Sequence, residues 1–397
     1  MSDWKEYKLG DIVEITSSKR IFYAEYVSNG VPFYRSKEII NLHNKRSIST
    51  ELFISEEKYN EIKTNHGVPA LGDILLTSVG SLGIPYKVSS LDKFYFKDGN
   101  LTWFRKFNEN ILDSDYFLLW LDSAIGKQKL DEITIGSTQP ALTISGLKTI
   151  RILLPSLTEQ KAIAEVLSSL DDKIDLLRRQ NKTLEAMADA LFRQWFVEKA
   201  EDGWEEKTID DIVSLKGGTT PSTKESSYWD GDIYWATPRD LSKHQYIYLF
   251  ATERQITKEG LTQISSGLLP KGVVLLSSRA PIGYLTITNI STAINQGYIA
   301  IICDKTVSNY FMYLWCKCNM EEIKNSGNGS VFQEISKGVF RRLSILSPPS
   351  EYLHRFDNVV KPIFEKIKSN QAQRHALEQL RESLLPKLMS GELRVAV

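Results

Sequence analysis

The chain is one architectural unit written twice, and each copy ends in a long amphipathic helix. Trp4 pairs with Trp204, Asp11-Ile12-Val13 with Asp211-Ile212-Val213, and Gly72-x-Ile74-Leu75-Leu76 with Gly272-x-Val274-Leu275-Leu276, all at an offset of 200. The register then tightens to 193. Gly136-Ser137 meets Gly329-Ser330, Pro155 meets Pro348, and Leu170, Ile174, Leu184, Met187 and Leu191 meet Ile363, Ile367, Leu377, Leu380 and Leu384. A steady offset over so many positions marks internal duplication, which constrains the fold before any single element is assigned. Two similar but non-identical heads, each followed by a helix, make a device for touching two similar objects at a set separation.

The first helix opens at Pro155-Ser156-Leu157-Thr158-Glu159-Gln160, where a hydroxyl cap followed by Glu and Gln precedes an apolar run. From there Ile163, Val166, Leu167, Leu170, Ile174, Leu177, Leu184, Met187, Leu191 and Trp195 recur at helical spacing, with no Gly or Pro between 156 and 202. Some 40 residues at about 1.5 Å each predict a rod of roughly 60 Å. The second helix is expected from about 350 to 389, with Leu353, Phe356, Val360, Ile363, Ile367, Leu377, Leu380 and Leu384 on its seam. Leu353 stands where Gln160 would recur, which predicts a weaker cap or a changed contact, and Pro362 and Pro386 predict kinks or breaks.

A one-striped helix of this length needs a partner, and the other copy is the natural one, in a coiled coil. Parallel pairing would require the chain to return about 60 Å before the second helix began, and the intervening head supplies only part of that distance. Antiparallel pairing is therefore expected, with the heads at opposite ends of a rod and related by a pseudo-twofold axis. The plainer alternative is two core helices inside an ordinary globule.

Each head reads as α/β (α+β). The boundaries are 1–154 for the first head, 155–202 for the first spacer helix, 203–347 for the second head, and 348–397 for the second helix and tail. Strands are expected at 73–78, 94–96 and 101–104, and a helix at 114–130 carrying Tyr116, Leu119, Trp120 and Leu121. The second head repeats this with strands at 233–236, 273–278 and 297–302 and a helix at 308–323.

Composition excludes several classes of function. The 49 Lys and Arg balance the 49 Asp and Glu, so there is no overall basic excess to neutralise phosphates. A basic face balanced by an acidic helix, or phosphate contacts supplied by a partner, stay open. Apolar runs are strand-sized, short of the roughly 20 residues a membrane span needs. Asp3, Glu6 and Asp11 interrupt any leader, and Cys303, Cys316 and Cys318 lack zinc-type spacing, so a cytoplasmic chain without a metal is expected.

No phosphate loop, nucleophile elbow or His-Glu-x-x-His pair occurs, and His43, His66, His244, His354 and His375 are scattered. Ser347-Pro348-Pro349-Ser350 is only superficially similar to an adenine methyltransferase loop, lacking its polar leader and its aromatic residue. The expectation is a chain that performs no chemistry alone.

The heads do carry loops rich in hydroxyls, amides, cations and aromatics. The fullest is Lys216-Gly217-Gly218-Thr219-Thr220-Pro221-Ser222-Thr223-Lys224, leading to Tyr228-Trp229 and on to Trp235-Ala236-Thr237-Pro238-Arg239-Asp240. A second is Ser277-Ser278-Arg279-Ala280-Pro281-Ile282-Gly283, matched by Thr77-Ser78-Val79-Gly80-Ser81-Leu82-Gly83, and a third is Asn295-Gln296-Gly297. Glycine admits close backbone approach, Ser and Thr donate to phosphates, Arg suits guanine, and Asn and Gln suit adenine. The same residues also dominate ordinary turns.

The Leu154-Pro155-x-x-x-Glu159-Gln160 that opens the first helix, the Ile-Ala-x-x-Leu-x-x-Leu-Asp at 163–171, Gly217-Gly218-Thr219-Thr220-Pro221, Tyr228-Trp229-x-Gly231-x-Ile233-x-Trp235, Asn295-Gln296 and the terminal Leu384-Leu385-Pro386-Lys387-Leu388-Met389-Ser390-Gly391-Glu392-Leu393 together carry a resemblance. Over essentially its whole length the chain resembles the specificity subunit of a type I restriction-modification system. The second head matches better. The first has Ile15-Thr16-Ser17-Ser18-Lys19-Arg20 in place of Gly-Gly-Thr-Pro, and Asn100-Leu101 in place of Asn-Gln.

The resemblance implies two target recognition domains, each reading half of a bipartite double-stranded DNA sequence, with the coiled coil setting the gap between halves. It implies two methyltransferase subunits as partners, which bind S-adenosylmethionine and flip out the target adenine. Helicase-nuclease subunits using ATP and Mg are expected to join. No cofactor is expected on this chain.

The residues selected for DNA contact are Lys216, Thr219, Thr220, Lys224, Tyr228, Trp235, Arg239, Ser278, Arg279 and Gln296 in the second head. In the first they are Lys19, Arg20, Tyr23, Arg35, Lys37, Ser78 and Ser81. Trp235 and Trp229 are the members best suited to a core instead. Two alternatives remain: a protein-binding scaffold whose rod is its function, and a recognition module serving a methyltransferase without a nuclease.

Overall fold

A computed structural model of the chain describes residues 4–201, 203–242, 246–279, 281–328 and 333–395. His244, Ala280 and the Gly329-Ser330 match lie outside the described residues. The chain divides into two compact units, Met1–Asp172 with Leu377–Val397, and Lys173–Ala376. The long helices Leu157–Arg193 and Ser350–Ser390 each contribute one stretch to each unit.

In the first unit, the apolar strand Ile74–Thr77 is buried along its whole length between Leu101–Arg105 and Pro85–Lys87, and Glu14–Thr16 completes that sheet. A second small sheet orders Tyr26–Val27, Phe53–Ile54, Val31–Tyr34 and Tyr95–Phe96, its last pair parallel. Lys5–Lys8 pairs with Arg151–Leu154, tying the start of the unit to the strand that feeds the first long helix. The core gathers Ile74, Leu76, Phe104, Phe117 and Trp120 with Ile163 and Leu167 of one long helix and Leu385, Leu388 and Met389 of the other.

The second unit repeats the plan. Val274–Ser277 lies between Tyr298–Ile302 and Leu285–Thr288, flanked by Ser214–Gly217 and Tyr248–Leu249. Trp229–Ala236 pairs with Arg254–Ile256 on one side and, in parallel, with Thr292–Ile294 on the other. Glu205–Thr208 pairs with Ser344–Ser347.

Within each unit the two helix stretches run antiparallel, as the chain-length argument requires. In the first, Asp171 meets Arg381 at 2.5 Å while Glu159 meets Arg394. In the second, Asn181 meets Asn370 at 2.9 Å while the rings of Trp195 and Tyr352 lie 5.1 Å apart.

The seam differs from the sequence pattern in phase. Val166, Met187 and Leu380 are exposed, whereas Ala188, Phe192, Phe364, Leu385, Leu388 and Met389 are buried. An α-helix drifts about 20° per heptad, so a stripe read at a fixed seven-residue period slides off the face that meets the partner.

The second helix also runs unbroken through Pro362 and Pro386. Both prolines are exposed, as are Asn358 and Glu382 one turn before them, so water can take the carbonyls that each missing N–H leaves free. The expected single helices at 114–130 and 308–323 are instead two each, Ser114–Asp122 with Ala124–Glu132 and Asn309–Cys318 with Met320–Asn325. Buried Ser123 makes the first break, donating to the Trp120 carbonyl at 2.7 Å and accepting from the Gly126 N–H to cap the next helix.

At the start of the first long helix the Ser156 hydroxyl accepts from the Glu159 N–H at 3.2 Å. Gln160 is wholly buried, donates to the Ile111 and Pro155 carbonyls and accepts from the Asp113 N–H, pinning the helix to its head. Leu353, its counterpart, exchanges this for apolar packing in the second core.

Polar residues interrupt the second unit's seam. Buried Asn370 donates to Asn181 at 2.9 Å, and Asn181 donates to the Ile367 carbonyl at 3.2 Å. Such a pair specifies register, because any slip leaves amides buried without partners. Asn370→Leu is expected to cost about 1–3 kcal/mol by leaving the buried Asn181 side-chain oxygen without a donor, and adding Asn181→Leu should restore most of it. Denaturant unfolding of the four proteins checks this; a double variant as unstable as the worse single one would overturn it.

Candidate nucleic-acid interface

An open cleft of about 380 Å³ in the second unit is lined by Thr237, Pro238, Arg239, Ser242, Arg279, Asn295 and Gly297. It lies where the parallel pair formed by Trp229–Ala236 and Thr292–Ile294 ends, beyond their last bonded residues Ala236 and Ile294. Asn295 donates its N–H to the Ala236 carbonyl at 3.0 Å, and its side-chain oxygen accepts from the Gly297 N–H at 2.9 Å, which shapes the tight turn. Asp240 accepts from the Thr237 and Glu253 N–H groups at 2.7 and 2.6 Å, closing the facing turn.

Both cleft arginines rest on carboxylates. Arg239 Nε is 3.2 Å from Glu253, and Arg279 Nη1 is 3.8 Å from Glu334. Solvated pairs of this kind are worth about 0–1 kcal/mol, so either guanidinium can leave for a ligand at little cost.

The hydroxyl-rich loop is held against the strand and turn that carry Ile294 and Gln296. Gly218 is required there by the chain itself, since a Cβ would stand 1.8 Å from the Ile294 carbonyl oxygen. Thr219 donates to the Gln263 carbonyl at 2.7 Å, Thr220 to the Gln296 side chain at 2.6 Å, and Lys216 to the Ser266 carbonyl at 3.1 Å. Trp235 is buried against Trp229, ring centroids 5.0 Å apart, and donates to the Thr219 carbonyl, so it supports the loop from within. Ser278 is buried as well. Lys224 and Gln296 are exposed and Tyr228 is half-buried.

Arg254 escaped sequence reasoning. Its guanidinium lies 3.5 Å from the centroid of the buried Trp229 ring, while the residue itself is exposed. Nothing in its neighbourhood, Thr252-Glu253-Arg254-Gln255, distinguishes it from an ordinary surface cation. Asn295 was visible as part of the Asn-Gln-Gly cluster, and only the fold puts it on the cleft wall.

In the first unit, Lys19, Arg20, Tyr23, Lys37 and Ser81 are exposed, Arg35 is half-buried, and Ser78 is buried with its hydroxyl 2.6 Å from Thr102. Strand pairing gives the correspondence between heads. Tyr34 pairs with Phe96 as Ala236 pairs with Ile294, and the Arg35 N–H donates to Glu38 as the Thr237 N–H donates to Asp240. Arg35 and Lys37 thus occupy the places of Thr237 and Arg239.

The same register corrects the reading of Asn100-Leu101 as the Asn-Gln equivalent. Asn100 occupies the place of Gly297, because its carbonyl accepts from Ser78 as that of Gly297 accepts from Ser278, both at 2.8 Å. Lys97-Asp98 stand where Asn295-Gln296 stand, with one extra residue in the first head. Arg20 then meets Asp98 at 2.8 Å where Thr220 meets Gln296. A charged bridge in one head replaces a neutral bridge in the other.

Among the described residues no three or more His, Cys, Asp or Glu are grouped to hold a metal. Burial pushes the Cys303 thiol up to about 12. No helix among the described residues is long and apolar enough to cross a membrane.

Comparison with known proteins places this architecture. The type I restriction modification DNA specificity domain matches twice, over residues 1–186 and 201–379. The specificity subunit of the HindI type I restriction enzyme of Haemophilus influenzae is 24% identical over 99% of this chain and 100% of its own length. That of the MjaIX enzyme of Methanocaldococcus jannaschii is 37% identical over 48% of this chain and 44% of its own. A crystallised type I restriction-modification S subunit from M. genitalium shares the fold, with a TM-score of 0.66 at 15% identity over 98% of this chain and 96% of that one. With both copies of the repeat matched by the same domain, the chain belongs to the type I restriction-modification DNA specificity family.

Proposed function

We propose that this chain is the DNA-recognition subunit of a type I restriction-modification complex, with no catalytic centre of its own. Recognition domains at 1–154 and 203–347 each read one half of a bipartite double-stranded target. The spacer segments 155–202 and 348–397 set the gap between halves and dock two methyltransferase subunits. Those subunits carry S-adenosylmethionine and the chemistry; helicase-nuclease subunits, with ATP and Mg, join them for cleavage in the cytoplasm.

The observation that carries this reading is the cleft of the second head, where Arg239, Arg279 and Asn295 converge at the ends of two strands. A guanidinium either anchors a phosphate or reads a guanine edge, and an amide suits adenine, so this set supplies both positioning and base readout. Arg35 and Lys37 recur at the matching turn of the first head.

Single-molecule methylation sequencing of DNA from cells with and without this gene, its neighbouring methyltransferase present in both, tests the proposal. A gene-dependent N6-methyladenine motif in two parts with a fixed gap is expected. No gene-dependent motif, with both proteins expressed, would transfer the reading to a protein-binding scaffold. Gly218→Ala is expected to abolish recognition by the second head, because its Cβ cannot coexist with the Ile294 carbonyl. An unchanged motif in that variant would show that the loop carrying Thr219 and Thr220 takes no part.

A further inference from the structure

Around Ser78 and Ser278 the described backbone of the two heads makes the same contacts while holding different chemistry. In each, the first residue's hydroxyl accepts an N–H seven residues on, Ile84 to Thr77 at 2.9 Å and Tyr284 to Ser277 at 2.7 Å. Its carbonyl accepts from a glycine, Gly83 in one and Gly283 in the other. The carbonyls of Ser78 and Ser278 accept from Leu142 and Ile335 at 2.9 and 3.0 Å. The next residue is bridged across to Ala141 in the first head, as Val79, and to Glu334 in the second, as Arg279.

Backbone identity at this many points means that residues 79 and 279 are presented alike. What they present is opposite, a small apolar pair, Val79 with Ala141, against a charged pair, Arg279 with Glu334 3.8 Å away. Position 37/239, by contrast, holds a cation in both heads, Lys37 and Arg239. A contact with the phosphate backbone is the same for any sequence and asks for the same charge in both heads. A contact that tells bases apart has to differ when the half-sites differ.

Resting on the recognition reading above, we propose that position 79/279 is a specificity-determining position of each head. Arg279 reads a guanine edge in the second half-site, with Glu334 as the positioning residue that aims it, and Val79 covers a thymine methyl in the first. Residues 37 and 239 supply the shared anchor.

The test exchanges the pairs in the full chain, co-expressed with its methyltransferase partner, and reads the methylation motif. R279V/E334A is expected to relax a guanine requirement at one position of the second half-site, about ten- to a hundredfold in discrimination, with the first half unchanged. V79R/A141E is expected to impose guanine at one position of the first half, with the second unchanged. Because the two variants are read independently, collapse of one leaves the other to decide. An unaltered motif in both, an alteration in the wrong half, or loss of all methylation in both would overturn the proposal while leaving the wild-type motif intact. Absence of a two-part motif in the wild type would instead remove the recognition reading beneath it.

Discussion

Arg394→Ala is expected to destabilise the first unit by about 2–3 kcal/mol, because Glu159 is buried and loses its charged partner while Arg394 itself is 47% exposed. The Glu159 side chain is only 2% exposed, and the guanidinium meets both of its oxygens, Nε on Oε1 and Nη2 on Oε2, the latter at 2.7 Å. Arg394 reaches it because the second long helix stops at Ser390. Gly391 adopts φ +76°, the left-handed conformation that ends helices and turns the chain, and Leu393 then donates to the Lys387 carbonyl at 3.0 Å. Arg394→Lys should recover only part of the loss, since an ammonium cannot make the forked contact. Chemical denaturation, with hydrogen exchange over 157–172 to localise the effect, checks this. A loss below about 1 kcal/mol would mean that water reaches Glu159 in solution, as for an exposed pair.

Phe356→Ala is expected to destabilise the second unit by about 3–5 kcal/mol, through lost burial and the cavity left behind. Phe356 is wholly buried, with the rings of Phe196, Trp195 and Phe192 at 4.7, 5.8 and 6.1 Å. The first long helix loosens into a π-helical segment, Gln194–Glu198, where Phe196 also meets Phe311 edge-on at 4.9 Å. Val359, three residues on and 44% exposed, provides the control. Val359→Ala should change stability by less than about 0.5 kcal/mol. Equal effects at the two positions would mean that this face of the helix is not docked in solution.

The duplication was legible because the repeated strands and helices keep their offset. Gly72 and Gly272 answer one another at 200, and both adopt left-handed φ, +87° and +90°, at the turn into the buried strand. The cleft was not legible in the same way. Between the fixed strands the offset runs from 202 at Tyr34 and Ala236 to 198 at Phe96 and Ile294 and 197 at Leu101 and Tyr298. Insertions of one or two residues in loops are invisible to a comparison at constant offset. Asn100 and Asn295 share only a residue type, and the match of Lys37 with Arg239, at an offset of 202, follows from strand register alone.

Residue type alone leaves open what several side chains do. Ser78 and Ser278 have the chemistry of a DNA contact and are buried, and Trp235, suited to a core by its type, is buried as well. Gly218 has the look of a residue that admits a ligand, and the backbone it admits is its own chain at Ile294.

Local pattern therefore determined the two long helices and the central apolar strands, that there are two heads, that each long helix needs a partner, and that the partner runs antiparallel. Those properties follow from period, capping and chain reach, which act over a few residues or along the contour. Tertiary structure alone decided which face of each helix is the seam, why Pro362 and Pro386 are tolerated, and which loop residues of the second head share a cleft. These depend on close packing between segments far apart in sequence, where a one-residue shift exchanges a buried side chain for an exposed one.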